Sequence, residues 1–307
     1  MIPAIILAAG LGTRLRPLSA LRAKPAMPVA GQPLITRILA QVAGANVSDV
    51  VINLHHLGHT ITTLTGDGGH LGLRIRYSWE TEILGSGGGP ARAMRLVDGD
   101  RALILNGDTL TDLDLTALVR THDESGALVT LAVVPNTEPA RYGGVAADAT
   151  GAFTGLVPKG APEPSWHFVG VQVAARAAWE GVAIDRPSDS IAGVYRALAA
   201  RHPGSVRVAP VMTAFDDIGT PADYLRTCLA HADAESGSTV APTARIAGGA
   251  TITRSVLWDG VEVGAGAALV ECIVLPGTRV PAQTRWSRVI LEPGSPATEP
   301  LVATPLG

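Results

Sequence analysis

The stretch LAAGLGTRLRP, residues 7–17, decides how this chain is interpreted, because it follows directly on an apolar run at residues 2–8. The run predicts a buried β-strand, and the glycines predict a tight turn at its carboxyl end. In such a turn the backbone N–H groups approach a ligand closely and bind phosphate oxygens. The beginning of the chain therefore predicts a phosphate site at the edge of a sheet.

Two well-known phosphate-binding loops do not match this stretch. A P-loop ends in Gly-Lys-Ser/Thr, whereas here Thr13 and Arg14 follow Gly12. A dinucleotide-binding fingerprint needs a small residue where Leu15 stands, and an acidic residue about 20 positions later that this chain lacks. Both loops are excluded.

Beyond the turn, apolar β-branched runs alternate with amphipathic stretches as far as residue 232. This alternation predicts an α/β fold, with a mostly parallel Rossmann-like sheet and helices on both faces. The predicted strands are residues 2–8, 50–54, 73–79, 102–106, 128–134 and 167–173. The predicted helices are residues 33–43, 56–64, 89–97, 114–123, 189–201 and 221–232.

The composition changes after residue 232, where Gly, Ala, Thr and Val dominate and the helical periodicity ends. Aliphatic residues recur there every six positions, with one slip of a single residue. They are Val240, Ile246, Ile252, Leu257, Val263, Leu269 and Leu275. This spacing predicts a short left-handed β-helix of hexapeptide repeats with the aliphatic side chains pointing inward. We therefore predict an α/β domain at 1–232, a hexapeptide-repeat module at 233–291 and a flexible tail at 292–307.

Composition and charge exclude several classes of protein. A hydrophobic fraction of 47% and a charged fraction of 17% exclude an intrinsically disordered chain. A net charge of −3 gives no general basic field for nucleic acid, and the apolar opening is too short for a membrane span. Two cysteines, Cys228 and Cys272, are too few for a disulfide scaffold. We expect a cytoplasmic protein without nucleic-acid or membrane partners. We also expect a homo-oligomer, since a few coils alone bury little surface.

A second motif, KPAMPVAGQPLI at residues 24–35, follows the glycine turn. The two motifs together resemble the signature of the nucleotidyltransferases that make nucleotide sugars, which is GxGTR, a short basic loop, and a lysine followed by proline. The resemblance extends from residue 2 to about residue 232, and the repeat region is similar to the one that many members carry. Members that transfer the guanylyl group of GTP to mannose 1-phosphate are the most similar. Members that uridylylate N-acetylmuramate 1-phosphate come next.

The resemblance implies a reaction in which an oxygen of a sugar 1-phosphate attacks the α-phosphate of a nucleoside triphosphate and pyrophosphate leaves. This nucleophile is already anionic at neutral pH, so catalysis needs alignment and cations rather than a general base. The family implies that Arg14 offsets charge on the leaving pyrophosphate and that Lys24 holds the phosphates beside it. The residues implied to contact the nucleotide are Ala8, Ala9, Gly10, Gly12, Thr13, Gly85, Gly87 and Gly88.

The last three of these residues belong to a glycine-rich stretch at residues 82–89, which we interpret as a loop. Side chains in such a loop would obstruct a flat nucleotide base. The glycines are therefore expected to leave room for it.

Asp108 follows an apolar run at residues 102–105, which places a carboxylate at the carboxyl edge of the sheet. The resemblance implies that Asp108 and Asp217 bind Mg²⁺. This ion usually takes one or two carboxylates together with substrate phosphates. The pair is therefore sufficient for a magnesium site.

Residues 141–145 and 167–170 resemble the segments that line the sugar pocket, with Gly143 and Gly170 as the candidate residues. The family also carries a Glu-Lys pair whose lysine holds the sugar phosphate, whereas here Pro158 precedes Lys159. Among 24 basic residues only Lys24 and Lys159 are lysines, and both stand where the family uses one. A compact ammonium suits a tight phosphate site better than a planar guanidinium does. Lys159 is therefore the candidate for the sugar phosphate.

Structural roles are expected for several other polar residues. Asp112 and Asp114 are interpreted as caps of the helix that follows them. His55, His56 and His59 are interpreted as part of a solvated helix face, because no carboxylate or cysteine completes a zinc set nearby.

Two functions of other kinds stay open at this point. A non-catalytic relative that binds nucleotide sugars is favoured by the missing glutamate before Lys159, and disfavoured by the joint presence of Arg14, Lys24, Asp108 and Asp217. A hexapeptide acyltransferase is disfavoured because its active sites need many coils and a catalytic histidine between subunits, and no histidine follows His231.

Overall fold

The computed structural model describes residues 1–232, 237–294 and 301–306. The contacts within the chain divide it into two compact units. The first unit consists of Met1–Leu11, Ala23–Ala26 and Leu34–Asp216, and the second of Gly12–Arg22, Met27–Pro33 and Asp217–Gly307. The turn after the first strand is thus grouped with the C-terminal third of the chain.

The first unit is built on a nine-stranded sheet, as far as the described residues extend. Its strands are Ala4–Leu7, Asp49–Leu54, Arg74–Trp79, Arg101–Asn106, Val129–Pro135, Gly144–Ala147, Phe153–Val157, Trp166–Ala175 and Val206–Pro210. All six predicted strands are present, which confirms the α/β fold. The sequence analysis missed the strands at 144–147, 153–157 and 206–210, which are only four or five residues long.

The first strand lies inside the sheet, between two parallel neighbours. Ile5 is paired with Val51 on one side and with Ile104 on the other. The chain therefore runs outward to one side of the first strand and later returns to its other side. The carboxyl end of the first strand is thus a topological switch point, where ligands bind in open α/β sheets.

The core of the first unit covers the sheet on both faces, which explains why its strands are almost continuously apolar. The consecutive residues Ile5 and Ile6, whose side chains point to opposite faces, are both fully buried, and so are Val51 and Ile52. A β-branched run buried in this way has no polar face. This run is the signal from which the strands were predicted.

The helices of the described residues largely follow the predicted positions. The α-helices are Leu18–Leu21, Leu34–Gly44, Gly58–Thr65, Gly85–Ala93, Leu115–Ser125, Arg196–Arg201 and Pro221–Ala230, and Ser190–Tyr195 is π-helical. Short 3-10 segments lie at Thr13–Leu15, Lys24–Ala26, Gly69–Leu71, Met94–Leu96 and Arg176–Trp179. Within the described part of the chain, no helix is long and apolar enough to span a membrane.

Four short strands lie outside the main sheet and the repeats. They are Pro28–Val29, Gln32–Pro33, Thr109–Thr111 and Phe215–Asp217. The first two pair as a small antiparallel hairpin, in which Val29 is opposite Gln32.

The repeats of the second unit form stacked coils of parallel strands. The strands are Thr239–Val240, Arg245–Ile246, Thr251–Thr253, Val256–Leu257, Glu262–Val263, Ala268–Val270, Ile273–Val274, Arg279–Val280, Arg285–Ser287 and Val289–Pro293. Val240 is paired with Leu257, and Leu257 with Val274, so one coil takes 17 residues. This arrangement is the predicted β-helix of hexapeptide repeats.

Two details of the predicted repeat are wrong. The predicted inward residue Leu275 is one position late, because the slip recurs in every coil and Val274 is the partner of Leu257. Val240 and Ile246 were expected inside, but they are 38% and 44% exposed. Each belongs to a strand with one neighbour only in the described residues, so no further coil covers it.

The predicted flexible tail is also wrong for residues 301–306. Leu301–Pro305 is a β-strand that pairs antiparallel with Val289–Pro293, with Leu291 opposite Ala303. The strand satisfies the backbone groups of the last parallel strand, and this pairing gives the segment a fixed structure. Residues 295–300 lie outside the described residues.

Candidate active site

The predicted phosphate lysine and the predicted metal carboxylate are brought together in the first unit. Lys24 Nζ lies 2.6 Å from Asp108 Oδ2, and the two side chains are 11% and 37% exposed. Asp108 follows the strand Arg101–Asn106, a parallel neighbour of the first strand. An ammonium and a carboxylate therefore meet at the switch point of the sheet.

The motifs that carry these two residues pack directly against each other. A Cβ atom on Gly107 would lie 2.7 Å from the carbonyl oxygen of Leu7 and 3.1 Å from Pro25. The N–H of Gly107 also donates to that carbonyl, at 2.8 Å. Only glycine therefore fits between the end of the first strand and the Lys-Pro pair, and this close approach sets Asp108 beside Lys24.

A buried hydrogen-bonded chain beside the first strand was not predicted. The N–H of Ala8 donates to Asn53 Oδ1 at 2.6 Å, and Asn53 Nδ2 donates to Glu80 Oε1 at 2.7 Å. Glu80 Oε2 accepts from the N–H of Leu84 at 2.8 Å. Asn53 and Glu80 are 3% and 4% exposed. These bonds connect the start of the glycine turn with the glycine helix. The sequence signal was a polar residue inside the apolar run 50–54.

The glycine-rich stretch is a helix, Gly85–Ala93, and its interpretation as a loop is wrong. Gly87 and Gly88 are both buried. A Cβ atom on Gly87 would lie 3.1 Å from the carbonyl of Asp189, and one on Gly88 would lie 2.9 Å from the carbonyl of Arg186. The glycines therefore allow the segment at 186–189 to lie directly on the helix. Contact of Gly85, Gly87 and Gly88 with a nucleotide stays a prediction.

The candidate sugar residues lie in two places of the first unit. Gly170 has a φ of +78°, and its Cβ position is 2.9 Å from Thr109 Oγ1 and 3.1 Å from Asn106. It therefore lies beside the motif that carries Asp108. Gly143 packs against the segment of Lys159, because its Cβ position is 3.1 Å from the carbonyl of Val157 and 3.5 Å from the N–H nitrogen of Lys159. Lys159 itself is exposed.

The rest of the glycine turn belongs to the second unit, where it meets the segment of Asp217. Gly12 adopts the left-handed conformation, with φ of 61°, and its carbonyl accepts a bond from Ser19 Oγ at 2.7 Å. The guanidinium nitrogens of Arg14 lie 3.6 Å from the Cβ position of Gly219. Gly219 directly precedes Thr220, which forms a capping box with Asp223 at the start of the helix Pro221–Ala230. Arg14 is thus near the chain that follows Asp217.

The remaining polar residues have mixed outcomes. Asp114 caps the helix Leu115–Ser125, as predicted, by accepting from the N–H of Ala117. Asp112 does not cap it, because its carboxylate accepts from Thr213 Oγ1 at 2.5 Å and from the N–H of Ala214 at 2.9 Å. These bonds hold the pKa of Asp112 below its ordinary value, the Thr213 hydroxyl having the larger effect.

The predicted histidine helix face is correct for His59, which is exposed on the helix Gly58–Thr65, and wrong for His55 and His56. The helix begins at Gly58, so His55 and His56 precede it. The Nδ1 atom of His55 lies 2.9 Å from the carbonyl oxygen of Glu80.

Among the described residues, no group of three or more His, Cys, Asp or Glu side chains is arranged as a metal site. Asp108 supplies a partly exposed carboxylate at the switch point. Hard carboxylate oxygens of this kind fit Mg²⁺, which completes its shell with water and phosphate rather than with a cage of side chains. The donor set therefore suits a metal that enters with a phosphorylated ligand.

A glycine turn, an enclosed lysine and a carboxylate at the switch point of a parallel sheet are typical of α/β proteins that bind phosphorylated ligands. Residues 3–234 match the family model for the Nucleotidyl transferase family, and residues 220–299 match the model described as GlmU-like, C-terminal hexapeptide. The first match covers more than half of the chain, so this chain belongs to the nucleotidyl transferase family.

Curated relatives agree with this assignment. The chain is 31% identical over 300 residues to the mannose-1-phosphate guanylyltransferase of Mycobacterium tuberculosis, covering 92% of this chain and 82% of that protein. It is 44% identical over 119 residues to the N-acetylmuramate alpha-1-phosphate uridylyltransferase of Neisseria meningitidis, covering 38% of this chain and 52% of that protein. The similarity to the first protein therefore includes the repeats as well as the sheet.

A solved structure shares the fold. HddC from Yersinia pseudotuberculosis matches with a TM-score of 0.64 at 23% identity, covering 74% of this chain and 98% of that one. The same protein has been solved in complex with GMP-PN.

Proposed function

We propose that this protein is a Mg²⁺-dependent sugar-1-phosphate nucleotidyltransferase, which forms a nucleotide sugar and pyrophosphate from a nucleoside triphosphate and a sugar 1-phosphate. The observation that carries the proposal is the ion pair of Lys24 and Asp108 at the switch point. Family membership and the mannose-1-phosphate guanylyltransferase of Mycobacterium tuberculosis support it.

The proposed reaction requires the protein mainly to bind and align the two substrates and to neutralise the charge of their phosphates. The attacking oxygen of a sugar 1-phosphate is anionic at neutral pH, so no side chain has to remove a proton. In this proposal Gly10, Gly12 and Thr13 receive the triphosphate with their backbone N–H groups, and Arg14 neutralises the leaving pyrophosphate. Gly10 suits this role because a Cβ atom there would meet no protein atom within 4 Å, so packing does not account for the glycine.

Lys24 is held in place by Asp108 and is mostly enclosed, which prepares its ammonium for a phosphate oxygen. In the proposal, Asp108 and Asp217 hold the Mg²⁺ ion. The ion supplies positive charge to the phosphates when it is bound. Gly143 and Gly170 line the space for the sugar, and Lys159 binds its phosphate.

For the substrates we propose GTP and mannose 1-phosphate, giving GDP-mannose. The match to the Mycobacterium tuberculosis protein over nearly the whole chain supports this choice. UTP with N-acetylmuramate 1-phosphate or a related sugar phosphate is the alternative, supported by the shorter but more identical match to the Neisseria meningitidis protein.

The proposal also includes cytoplasmic location and a homo-oligomer. In the described residues Cys228 and Cys272 are buried and form no disulfide, in keeping with a reducing compartment. The exposed aliphatic residues of the first coil, Val240 and Ile246, are in keeping with a further contact on the repeats.

The test is pyrophosphate release from the purified chain with each triphosphate, a panel of sugar 1-phosphates and Mg²⁺. We expect the highest kcat/KM with GTP and mannose 1-phosphate, and loss of turnover when a chelator removes the metal. Substitution Asp108→Asn should lower kcat by at least about 100-fold, because the metal loses a charged ligand.

Asp112→Asn is the matched control. Asp112 directly follows the strand Thr109–Thr111, and its carboxylate accepts from Thr213 Oγ1 and from the N–H of Ala214. An amide oxygen can still accept those two bonds. Full activity of Asp108→Asn would contradict the metal assignment. Binding of a nucleotide sugar without any pyrophosphate release would favour the non-catalytic alternative.

A further inference from the structure

The second unit joins the glycine turn to the hexapeptide module through an ion pair. Arg22 ends the segment Gly12–Arg22, and its Nη2 lies 2.5 Å from Asp259 Oδ2 on a corner of the module. The same guanidinium lies over the ring of Trp258, 5.0 Å from its centroid. One arginine of the turn therefore contacts two consecutive residues of the repeats.

A second connection runs through the helix Pro221–Ala230. Trp258 is 1% exposed, and its Nε1 donates to the hydroxyl of Tyr224 at 2.9 Å. The Tyr224 hydroxyl in turn donates to the carbonyl of Pro28 at 2.5 Å. Burial raises the pKa of Tyr224 well above its ordinary value, so the hydroxyl stays a donor. The segment Met27–Pro33 is thereby fixed to the same corner of the repeats.

The residues of this corner, Trp258 and Asp259, differ from those at the equivalent positions of the other coils. The coils are 17 residues long, and the positions equivalent to Asp259 are Pro242, Pro276 and Pro293. The positions equivalent to Trp258 are Ala241, Leu275 and Glu292. In the described coils, proline thus stands at every corner of this kind except the one that contacts Arg22. Within the coils, Asp259 accepts only a long bond from Thr243 Oγ1, at 3.5 Å, whereas its contact with Arg22 is at 2.5 Å. The contacts outside the coil are therefore the better explanation of Trp258 and Asp259.

The segment held in this way carries Arg14. The carbonyl of Gly12 is held by Ser19, and the Arg14 guanidinium lies against Gly219, next to the capping box of the helix that contains Tyr224. We propose that Trp258 and Asp259 are positioning residues, through which the hexapeptide module holds the segments Gly12–Arg22 and Met27–Pro33 in the conformation that presents Arg14 to the departing pyrophosphate. The role of Arg14 in this statement rests on the proposed function.

The ion pair is suited to positioning rather than to global stability. The side chains of Arg22 and Asp259 are 29% and 51% exposed, and solvent screens pairs of this kind strongly. Small displacements of a catalytic group, in contrast, lower rates by up to about 100-fold. Breaking the pair should therefore affect turnover more than unfolding.

The test compares substitutions on the full-length protein. Asp259→Asn removes the charge, while Asp259→Pro and Trp258→Leu restore the residues that neighbouring coils use. The exchanged pair Arg22→Asp with Asp259→Arg recreates the ion pair in reverse. Glu262→Gln is the control, because it breaks a pair with Arg279 on the same module. The readouts are kcat, KM for both substrates, the unfolding temperature, and amide hydrogen exchange in residues 12–22.

We expect Asp259→Asn and Asp259→Pro to lower kcat by about 10-fold or more. KM for the sugar phosphate and the unfolding temperature should stay near wild type, and amide exchange in residues 12–22 should accelerate. The reversed pair should recover most of kcat, and Glu262→Gln should match the wild type. Wild-type kcat and exchange in both Asp259 variants would overturn the proposal, as would a loss of kcat that merely follows a loss of stability.

Failure of the proposed function can be told apart from failure of this inference. If the wild type turns over no pair of substrates, the proposed function is wrong, and hydrogen exchange alone then decides the positioning claim. Unchanged exchange in residues 12–22 would overturn it. Faster exchange in the Asp259 variants, with none in Glu262→Gln, would support it.

Discussion

Lys24 lies in a space that is largely closed to solvent, with its Nζ 2.6 Å from Asp108 and 11% of its side chain exposed. The chain uses arginine at 22 of its 24 basic positions. A guanidinium is wider and planar, and it spreads its charge over three nitrogens. The enclosure of Lys24 gives a steric reason for a lysine at this position.

We therefore predict that Lys24→Arg lowers kcat/KM for the triphosphate by about 100-fold or more, because the wider group displaces either Asp108 or the phosphate. Steady-state kinetics of pyrophosphate release would measure the change. Arg101→Lys is the control, since Arg101 forms a half-exposed surface pair with Asp123. A Lys24→Arg enzyme with half the wild-type activity would show that the enclosed space around Lys24 does not discriminate against arginine.

The residues of the site differ in how far the sequence revealed them. Lys24 and Asp108 were identified because each belongs to a motif with a recognisable neighbour, Pro25 and Gly107, and the structure shows those neighbours in contact. Glu80 was missed because a single carboxylate after a strand carries no spacing signal. Its burial depends on Asn53, which lies 27 positions away in the sequence. Asp112 was misassigned for the same reason, since its partners lie about 100 residues further along the chain.

Among the elements, the helix Gly85–Ala93 shows tertiary packing overriding local propensity. Four glycines in a helix cost conformational entropy, and sequence alone indicates a loop. The helix packs so closely against the segment 186–189 that side chains at Gly85 and Gly88 would collide with the backbone of that segment. No local sequence pattern around the helix indicates that the segment 186–189, about 100 residues further along the chain, packs against it.

Gly88→Ala is accordingly predicted to destabilise the protein, although alanine is the better helix former. The new Cβ would lie 2.9 Å from the Arg186 carbonyl, and overpacking of about 1–3 kcal/mol exceeds the gain in propensity of about 1 kcal/mol. Urea unfolding would measure the loss. Gly193→Ala is the control, because its Cβ would meet only Asp189, at 3.9 Å. Its free energy of unfolding should be unchanged or higher. Equal stabilities of the two variants would contradict the packing argument.

The helix Leu115–Ser125 carries a buried histidine whose charge state depends on pH. His122 is 4% exposed, and its Nδ1 lies 2.9 Å from Thr130 Oγ1 in the sheet. Burial lowers the pKa of His122 below its ordinary value of 6.5; the nearby Asp123 carboxylate raises the pKa by less, and the Arg101 guanidinium lowers it further. The unfolded chain therefore binds a proton at a higher pH than the folded one. The stability due to the neutral imidazole is complete above pH 6.5 and is lost as the pH falls through the lowered pKa.

Unfolding free energies at pH 7.5, 6.5 and 5.5 test this dependence. We predict that the wild type loses stability below pH 6.5 relative to His122→Gln, with a difference in slope of at most about 1.4 kcal/mol per pH unit. His202→Gln is the comparison, because His202 is exposed. Parallel pH profiles for the wild type and His122→Gln would show that His122 does not titrate between the folded and unfolded states.

At the scale of the whole molecule, the sequence predicted two kinds of architecture because each has a period of its own. Strand and helix periods alternate up to residue 232, and a six-residue period follows, so both the sheet and the β-helix were confirmed. The 17-residue coil was not recognised, since the one-residue slip was noticed once and recurs after Leu269. The ends were hardest to predict. Val240 is exposed, and Leu301–Pro305 pairs with Val289–Pro293. Both facts depend on which strand lies next to the terminal coil, and the sequence of the coil itself does not indicate that.

The strand Leu301–Pro305 lies at the end of a five-stranded sheet. The other strands of this sheet are Thr239–Val240, Val256–Leu257, Ile273–Val274 and Val289–Pro293. Leu301–Pro305 pairs antiparallel with Val289–Pro293, and its neighbour Leu306 is 6% exposed. Without it, Val289–Pro293 would present unpaired N–H and C=O groups along an open edge, and open edges recruit strands from other molecules. Removal of residues 301–307 is therefore predicted to cost about 2–4 kcal/mol, from the lost burial of Leu301 and Leu306.

The shortened protein should also form larger species that the wild type lacks at the same concentration. Thermal unfolding and size-exclusion chromatography with light scattering would measure both effects. Ala303→Thr is the matched control, because it keeps the strand and changes an exposed position to a residue with higher β-propensity. A shortened chain with the wild-type unfolding temperature and the wild-type size distribution would show that the antiparallel strand does not protect the edge of the β-helix.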